Sequence, residues 1–213
     1  MDDIESFISG ISSTEDKSYI DRAREYLSGL NKDELKEFLE KHRHVERFNA
    51  NAEKAAKEQP IQWNPVSKMT NETGVLIYIY NTTRENFSLT KASWDSSQLP
   101  LKEFDLGAGD YTSFILRDDR LRRISNAKSI FRSSKIKHEF TYKSAERAFT
   151  FSTEAQLYLR YEPLAFGNTT TVSRQYNTRS TGKTELLCST ELTQRQNTSP
   201  YSYAMKIVIR EAN

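Results

Sequence analysis

Apolar residues recur at three- and four-residue steps over roughly the first sixty positions, then at every second position from Met69 onward, so a helical segment followed by a β region is expected. Ile4, Phe7, Ile8 and Ile11 share one face of a short first helix that Gly10 and Ser12-Ser13 would end. Ser13 or Thr14, ahead of Glu15 and Asp16, suits a second helix start: a hydroxyl accepts from a free backbone N–H and the carboxylates favour the positive end of the helix. Its apolar face is Tyr19, Ile20, Ala23, Tyr26, Leu27 and Leu30. Gly29 supplies a stop, and Asn31 with Glu34 reads as the next capping box. The third helix buries Leu35, Phe38, Leu39, Val45, Phe48 and Ala52, and Pro60 and Pro65 close the helical region.

In the β region, Val75, Ile77 and Ile79 alternate with Leu76, Tyr78 and Tyr80, a run apolar on both faces that suits a central strand. Leu157, Leu159 and Tyr161, and later Tyr203, Met205, Ile207 and Ile209, mark strands with one apolar face. Further strands are expected near 87–92, 111–116, 136–142, 148–151, 172–176 and 184–192. Gly107-Ala108-Gly109-Asp110, Phe166-Gly167-Asn168 and Ser180-Thr181-Gly182 supply the turns. The predicted fold class is α+β by segregation: an amino-terminal helical hairpin or short helical bundle at 1–58, a linker at 59–68 and an antiparallel β-sandwich at 69–213.

Charge sharpens this division. The net charge of +2 conceals ten Lys/Arg against fourteen Asp/Glu in residues 1–58, a balance of −4, and twenty-one against fifteen in the remainder, a balance of +6. The whole excess falls between Arg117 and Arg147, where ten Lys/Arg face four Asp/Glu. Such a stretch attracts anionic headgroups or a phosphate backbone, or else forms a solvated face. No run of apolar residues reaches membrane-spanning length, and the acidic amino terminus lacks the blocks of a secretory signal. The expectation is a cytoplasmic protein, with peripheral membrane association or release without a signal peptide as compatible fates. The five Asn-x-Ser/Thr sequons, at Asn71, Asn81, Asn86, Asn168 and Asn197, read as chance in a chain rich in Asn and Thr.

Candidate chemistry is sparse. His42 and His44 lie two apart on a helix and point to different faces, and His138 inside an alternating strand reads as an ordinary surface or half-buried residue. Cys188, flanked by Leu186, Leu187 and Leu192, reads as a small buried side chain rather than an activated thiol. Gly107-Ala108-Gly109 lacks the third glycine of a dinucleotide loop, and Thr181-Gly182-Lys183-Thr184 lacks the upstream glycine of a phosphate loop, so both read as hairpins. No His, Cys and carboxylate set has metal-ligand spacing, so no enzyme activity, metal or cofactor is expected. The tyrosines and phenylalanines of the β region suit either a sandwich core or a membrane interface.

Val75-Leu76-Ile77-Tyr78-Ile79-Tyr80-Asn81-Thr82-Thr83, then Leu89-Thr90-Lys91-Ala92-Ser93-Trp94, then Ala155 to Tyr161 with Glu162-Pro163-Leu164-Ala165-Phe166-Gly167-Asn168, are similar to successive segments of the aegerolysins. These are small β-sandwich proteins that bind particular membrane lipids and often recruit a pore-forming partner. The resemblance covers roughly Gly74 to Tyr176; residues 1–58 have no counterpart in it, nor do the family's Trp- and Cys-bearing lipid loops. Actinoporin-like cytolysins resemble the layout of helix and sandwich. The resemblance implies non-enzymatic recognition of an anionic or sphingolipid membrane surface, cytolysin-like in character, without nucleic acid.

The expected lipid contacts are Arg117, Arg120, Arg122, Arg123, Lys128 and Arg132 for charge, with Trp94, Tyr161 and Phe166 for shallow insertion. A protein-interaction module is the main rival, in which Leu35, Phe38 and Leu39 hold a partner or a homo-oligomer. A lectin is the third reading, its polar loops stacking Tyr and Trp on sugars.

Overall fold

The computed structural model describes the backbone of residues 17–94, 104–121, 131–162 and 167–212, and the side chains of 21–94, 104–121, 133–159 and 170–212. The expected first helix, the start of the second, and Arg122, Arg123, Lys128 and Phe166 lie outside the described residues. The chain divides into two compact units, Met1–Arg47 and Phe48–Asn213.

In the first unit, α1 spans Lys17–Gly29 and is followed by α2, Lys32–Ser67, which continues into the second. The expected capping box forms. The Asn31 side-chain oxygen accepts from the backbone N–H of Asp33 and Glu34 at 3.0 and 2.9 Å, and the Glu34 carboxylate accepts from the Asn31 N–H at 2.9 Å. Leu27 and Leu39 are buried, and the Tyr26 ring meets Phe38 edge-on at 6.1 Å.

Helix α2 does not stop at Pro60 but runs to Ser67, so the stretch expected as a linker is helical. Both prolines are exposed, on the side of the helix away from the packed residues. Phe48, Ala52, Ala55, Trp63 and Val66 recur at helical spacing and pack with Leu76, Tyr78, Tyr80 and Ala204. Each interior proline costs about 3 kcal/mol. Full burial of a large apolar side chain returns roughly 1.5–3 kcal/mol, and with Val66, Leu76 and Tyr78 each at most 1% exposed the packing outweighs the interruptions.

Two four-stranded sheets form the rest of the second unit. The strands are β1 (Thr73–Asn81), β2 (Ser88–Ala92), β3 (Tyr111–Asp118), β4 (Phe131–Lys143), β5 (Ala148–Glu162), β6 (Gly167–Ser180), β7 (Leu186–Arg195) and β8 (Tyr203–Glu211). One sheet has the order β3-β1-β8-β7 and the other β2-β4-β5-β6. The arrangement is α+β and sandwich-like, mostly antiparallel. The all-antiparallel expectation fails at one pair, because β8 enters beside β1 and runs parallel to it. β1 can accept this neighbour because every one of its residues is buried, its odd-numbered Val75, Ile77 and Ile79 in the sandwich and its even-numbered residues under α2.

The end of α2 and the turn after it press tightly on the sheet at Gly74, where a Cβ would lie 2.8 Å from Val66 Cγ1 and 2.9 Å from Met69 Sδ. β5 is one strand of 15 residues rather than two short ones. Its polar middle stays in register because buried Thr153 shares a 3.0 Å hydrogen bond with the Tyr203 hydroxyl and donates to the Gln175 carbonyl at 3.2 Å. The segment at Thr181-Gly182-Lys183-Thr184 is not a hairpin: β6 and β7 belong to different sheets, so it carries the chain from one to the other.

Candidate functional site

Trp94 follows β2 and is held against β4 by a reciprocal pair: the Ser93 N–H donates to the Glu139 carbonyl at 2.8 Å, and the Glu139 N–H donates to Ser93 Oγ at 2.9 Å. The indole then meets the rings of Phe104, Phe114 and Phe140 at centroid separations of 6.1, 5.8 and 6.0 Å. From Phe140 the aromatic contacts continue to Tyr142, and onward through Phe149 to Phe87, so this chain of rings is the sandwich core. Tyr78, Tyr80, Tyr142, Tyr201 and Tyr203 are buried; Tyr158 and Tyr176 are exposed.

At the Trp94 end the packing leaves a cavity of about 270 Å³, framed by Trp94, Phe104, Phe114, Leu116, Arg117 and His138. His138 lies on the inward alternation of β4, is only 5% exposed, and its buried Nε2 has no hydrogen-bond partner among the described residues. Burial pushes its imidazole below the usual histidine range; Asp118 opposes that shift and Arg120 adds to it. Asp118 itself is partly desolvated, which disfavours ionisation, yet the Arg120 guanidinium and backbone N–H outweigh burial and hold the carboxyl below its ordinary value. The pair is bidentate, with Arg120 Nε 3.0 Å from both carboxylate oxygens and Nη2 2.6 Å from Oδ2. Arg117, more than half exposed, donates to the Glu72 carboxylate at 3.0 Å.

The structure therefore brings together three of the expected lipid contacts, Trp94, Arg117 and Arg120. Arg132 and Tyr161 are placed by backbone register, Arg132 opposite Leu159 and Tyr161 opposite Asn168. Arg132 is six residues before His138 on β4, about 20 Å along the strand.

The Arg117–Arg147 stretch is not one cationic face. Lys135 and Lys137 project from the outer side of β4 and pair with Glu154 at 3.5 Å and Glu139 at 3.4 Å. Arg147 lies beyond the far end of β4, half-buried, bonded to Glu85 and 3.7 Å from Glu211. Alternation along a strand and reversal at its end disperse charges that are adjacent in sequence.

Leu39, expected in an oligomer contact, is buried, while Leu35 and Phe38 are partly covered, and Phe38 also meets the His42 ring at 6.3 Å. Cys188 is half-buried, and burial pushes its thiol up to about 11, so it stays protonated at neutral pH. Asn81 is fully buried, its amide donating to the carbonyls of Glu85 and Gly107 at 2.7 and 2.8 Å, which leaves that sequon no room for a glycan.

Sequence reasoning missed Phe104, Phe114 and the role of His138. His138, expected at the surface or half-buried, is only 5% exposed; its alternation with Ile136 and Phe140 was the signal that could have placed it inward, but not what it would face. No helix among the described residues is long and apolar enough to cross a membrane. No family model matches the chain, and no curated protein matches it.

Proposed function

We propose that this chain is a non-enzymatic recognition protein whose second unit meets lipid headgroups with the end of the sandwich that carries Trp94, Arg117 and Arg120. The observation that carries this reading is the meeting of Trp94 and Arg117 at one aromatic-walled opening, an indole and a phosphate-compatible guanidinium beside apolar side chains, with Arg120 bound to the adjacent Asp118. The resemblance to aegerolysins over Gly74 to Tyr176 supports the same class of ligand. Lys135 and Lys137 are paired on the outer side of β4 and Arg147 beyond its far end, and each cation that does meet an anionic surface is worth on the order of 1 kcal/mol.

Flotation of the full chain with phosphatidylserine-containing, sphingomyelin-containing and pure phosphatidylcholine vesicles tests it. Binding to at least one of the first two, weakened about fivefold by Arg117→Ala, is the expected result. Equal recovery in the absence and presence of every vesicle would remove the proposal.

A further inference from the structure

We infer that Arg174 and Arg195 form a binding site for a phosphate group at the end of the sandwich that carries Trp94 and Arg117. The site stands on the geometry of the two arginines; that the phosphate belongs to a lipid headgroup rests on the membrane reading.

A bulge brings the pair together. On β7, Leu192 lies opposite Met205 and packs on the core, so unbroken alternation would turn Gln194 inward and Arg195 outward. The register instead shifts between Leu192 and Gln194, which sets Arg195 opposite buried Tyr203 on the inner face. Arg174 reaches the same ring from the facing sheet. It lies opposite buried Ala155, and its guanidinium carbon is 5.4 Å from the Tyr203 ring centroid.

Neither charge is balanced. Among the described residues no carboxylate pairs with Arg174 or Arg195. Arg174 Nη2 donates to the carbonyls of Gln196 and Tyr201, which orients the guanidinium without neutralising it. Its Nε is buried without a partner, whereas Nη1 has none and stays open to solvent. Burial disfavours the Arg174 charge most, the Tyr203 hydroxyl opposes that shift, and Arg195 adds to it. A desolvated charge left uncompensated is costly, and an anion that reaches both guanidinium groups relieves it.

Shape selects phosphate. The planar fork of arginine matches the oxygens of phosphate or carboxylate. These two forks come from opposite sheets, and a tetrahedral phosphate offers oxygens in both directions, whereas the two oxygens of a carboxylate suit a single fork.

Position connects the site with the headgroup reading. Arg117 lies opposite Gly74, the adjacent Val75 lies beside Tyr203, and Tyr203 lies opposite Arg195. Arg117 and Arg195 therefore stand at one end of the sheet, three strand spacings or roughly 15 Å apart.

Inorganic phosphate, with chloride as the comparison at equal ionic strength, is titrated into the full-length ¹⁵N-labelled chain, and guanidinium nitrogen resonances are followed by NMR. The expected result is a saturable shift of Arg174 and Arg195 with phosphate and none with chloride. Arg195 is exposed, so Arg195→Gln should keep or raise the denaturant midpoint by removing a like charge, yet weaken phosphate about tenfold, as loss of one charged hydrogen bond implies. Lys137→Ala should leave phosphate affinity as it was. Absence of a saturable phosphate shift, an equal shift with chloride, or undiminished affinity in Arg195→Gln would each overturn the site. Should that variant fail to fold, the comparison of the two anions in the unaltered chain still decides. Flotation of Arg195→Gln with phosphatidylserine vesicles identifies the source: binding about fivefold weaker assigns the phosphate to a lipid, and unchanged binding overturns that assignment in favour of free phosphate. Flotation of the unaltered chain and of Arg117→Ala reads the membrane proposal separately, so either can fail alone.

Discussion

The two sheets of the second unit are built from similar strands yet buried differently. β1, at the heart of one sheet, has apolar residues at every position from Val75 to Ile79 and is covered on its outer side by α2. β4, at the heart of the other, alternates exposed Lys135, Lys137 and Glu139 with buried Ile136, His138 and Phe140. A strand's pattern thus reports how many neighbours its faces have. The open sheet keeps a polar outer face, and its inner face reaches the sandwich end where Trp94 and His138 meet.

The largest way to break this contrast is to empty the covered face. Tyr78, fully buried between β1 and α2, donates to the Gln59 carbonyl at 3.4 Å, and its phenol is raised well above the ordinary tyrosine range, first by burial. Tyr78→Ala is expected to cost ~3–5 kcal/mol, read as the shift of a denaturant midpoint. A loss below 1 kcal/mol would mean that α2 does not cover this strand in solution.

The connection between the sheets comes next. At Gly182 a Cβ would lie 2.4 Å from the Ala148 backbone nitrogen and 2.7 Å from Arg147 Cα, and backbone cannot yield as a flexible side chain can. Gly182→Ala should destabilise by ~1–3 kcal/mol, and unchanged thermal stability would refute the tight crossing from β6 to β7.

A smaller effect comes from pH. Because the folded pKa of His138 lies below its ordinary value, the unfolded chain takes up a proton more readily, so its contribution is complete above about 6.5 and is lost as pH falls toward the lowered folded value. Asp118 acts in the same sense in a more acidic window, below the usual carboxylate range. His138→Gln should flatten the stability profile just below pH 6.5 and leave the lower window intact. An unaltered profile would place His138 in solvent.

The smallest change is expected on the open face. Lys137→Ala removes a solvent-screened pair with Glu139 and should stay within about 0.5 kcal/mol. A much larger loss would show that this face is covered.

Much of this contrast could be read in the residues. The double-sided pattern of β1, the alternation of β8 and the Asn31 cap all follow from local spacing, and each is found. What was not legible depended on partners distant in the chain. Pro60 and Pro65 read as a stop because nothing local reveals that Trp63 and Val66 will be packed beyond Pro60. Ser152 to Ala155 read as a break because the hydroxyl that accompanies Thr153 belongs to Tyr203, fifty residues on. The same holds for the candidate site. Trp94, Arg117 and Arg120 stood out by type, whereas Phe104, Phe114 and His138 acquire their meaning only when β3 and β4 bring them to one end.

Trp94 and Trp63 make the functional contrast measurable, since one frames the sandwich opening and the other packs in the cluster between α2 and the sheet. The most direct test is fluorescence quenching by brominated lipids in anionic or sphingomyelin vesicles, using Trp63→Phe and Trp94→Phe to leave one indole at a time. Quenching of Trp94 with Trp63 unaffected is the expected result; quenching of Trp63 alone, or of neither, would contradict docking through this end of the sandwich.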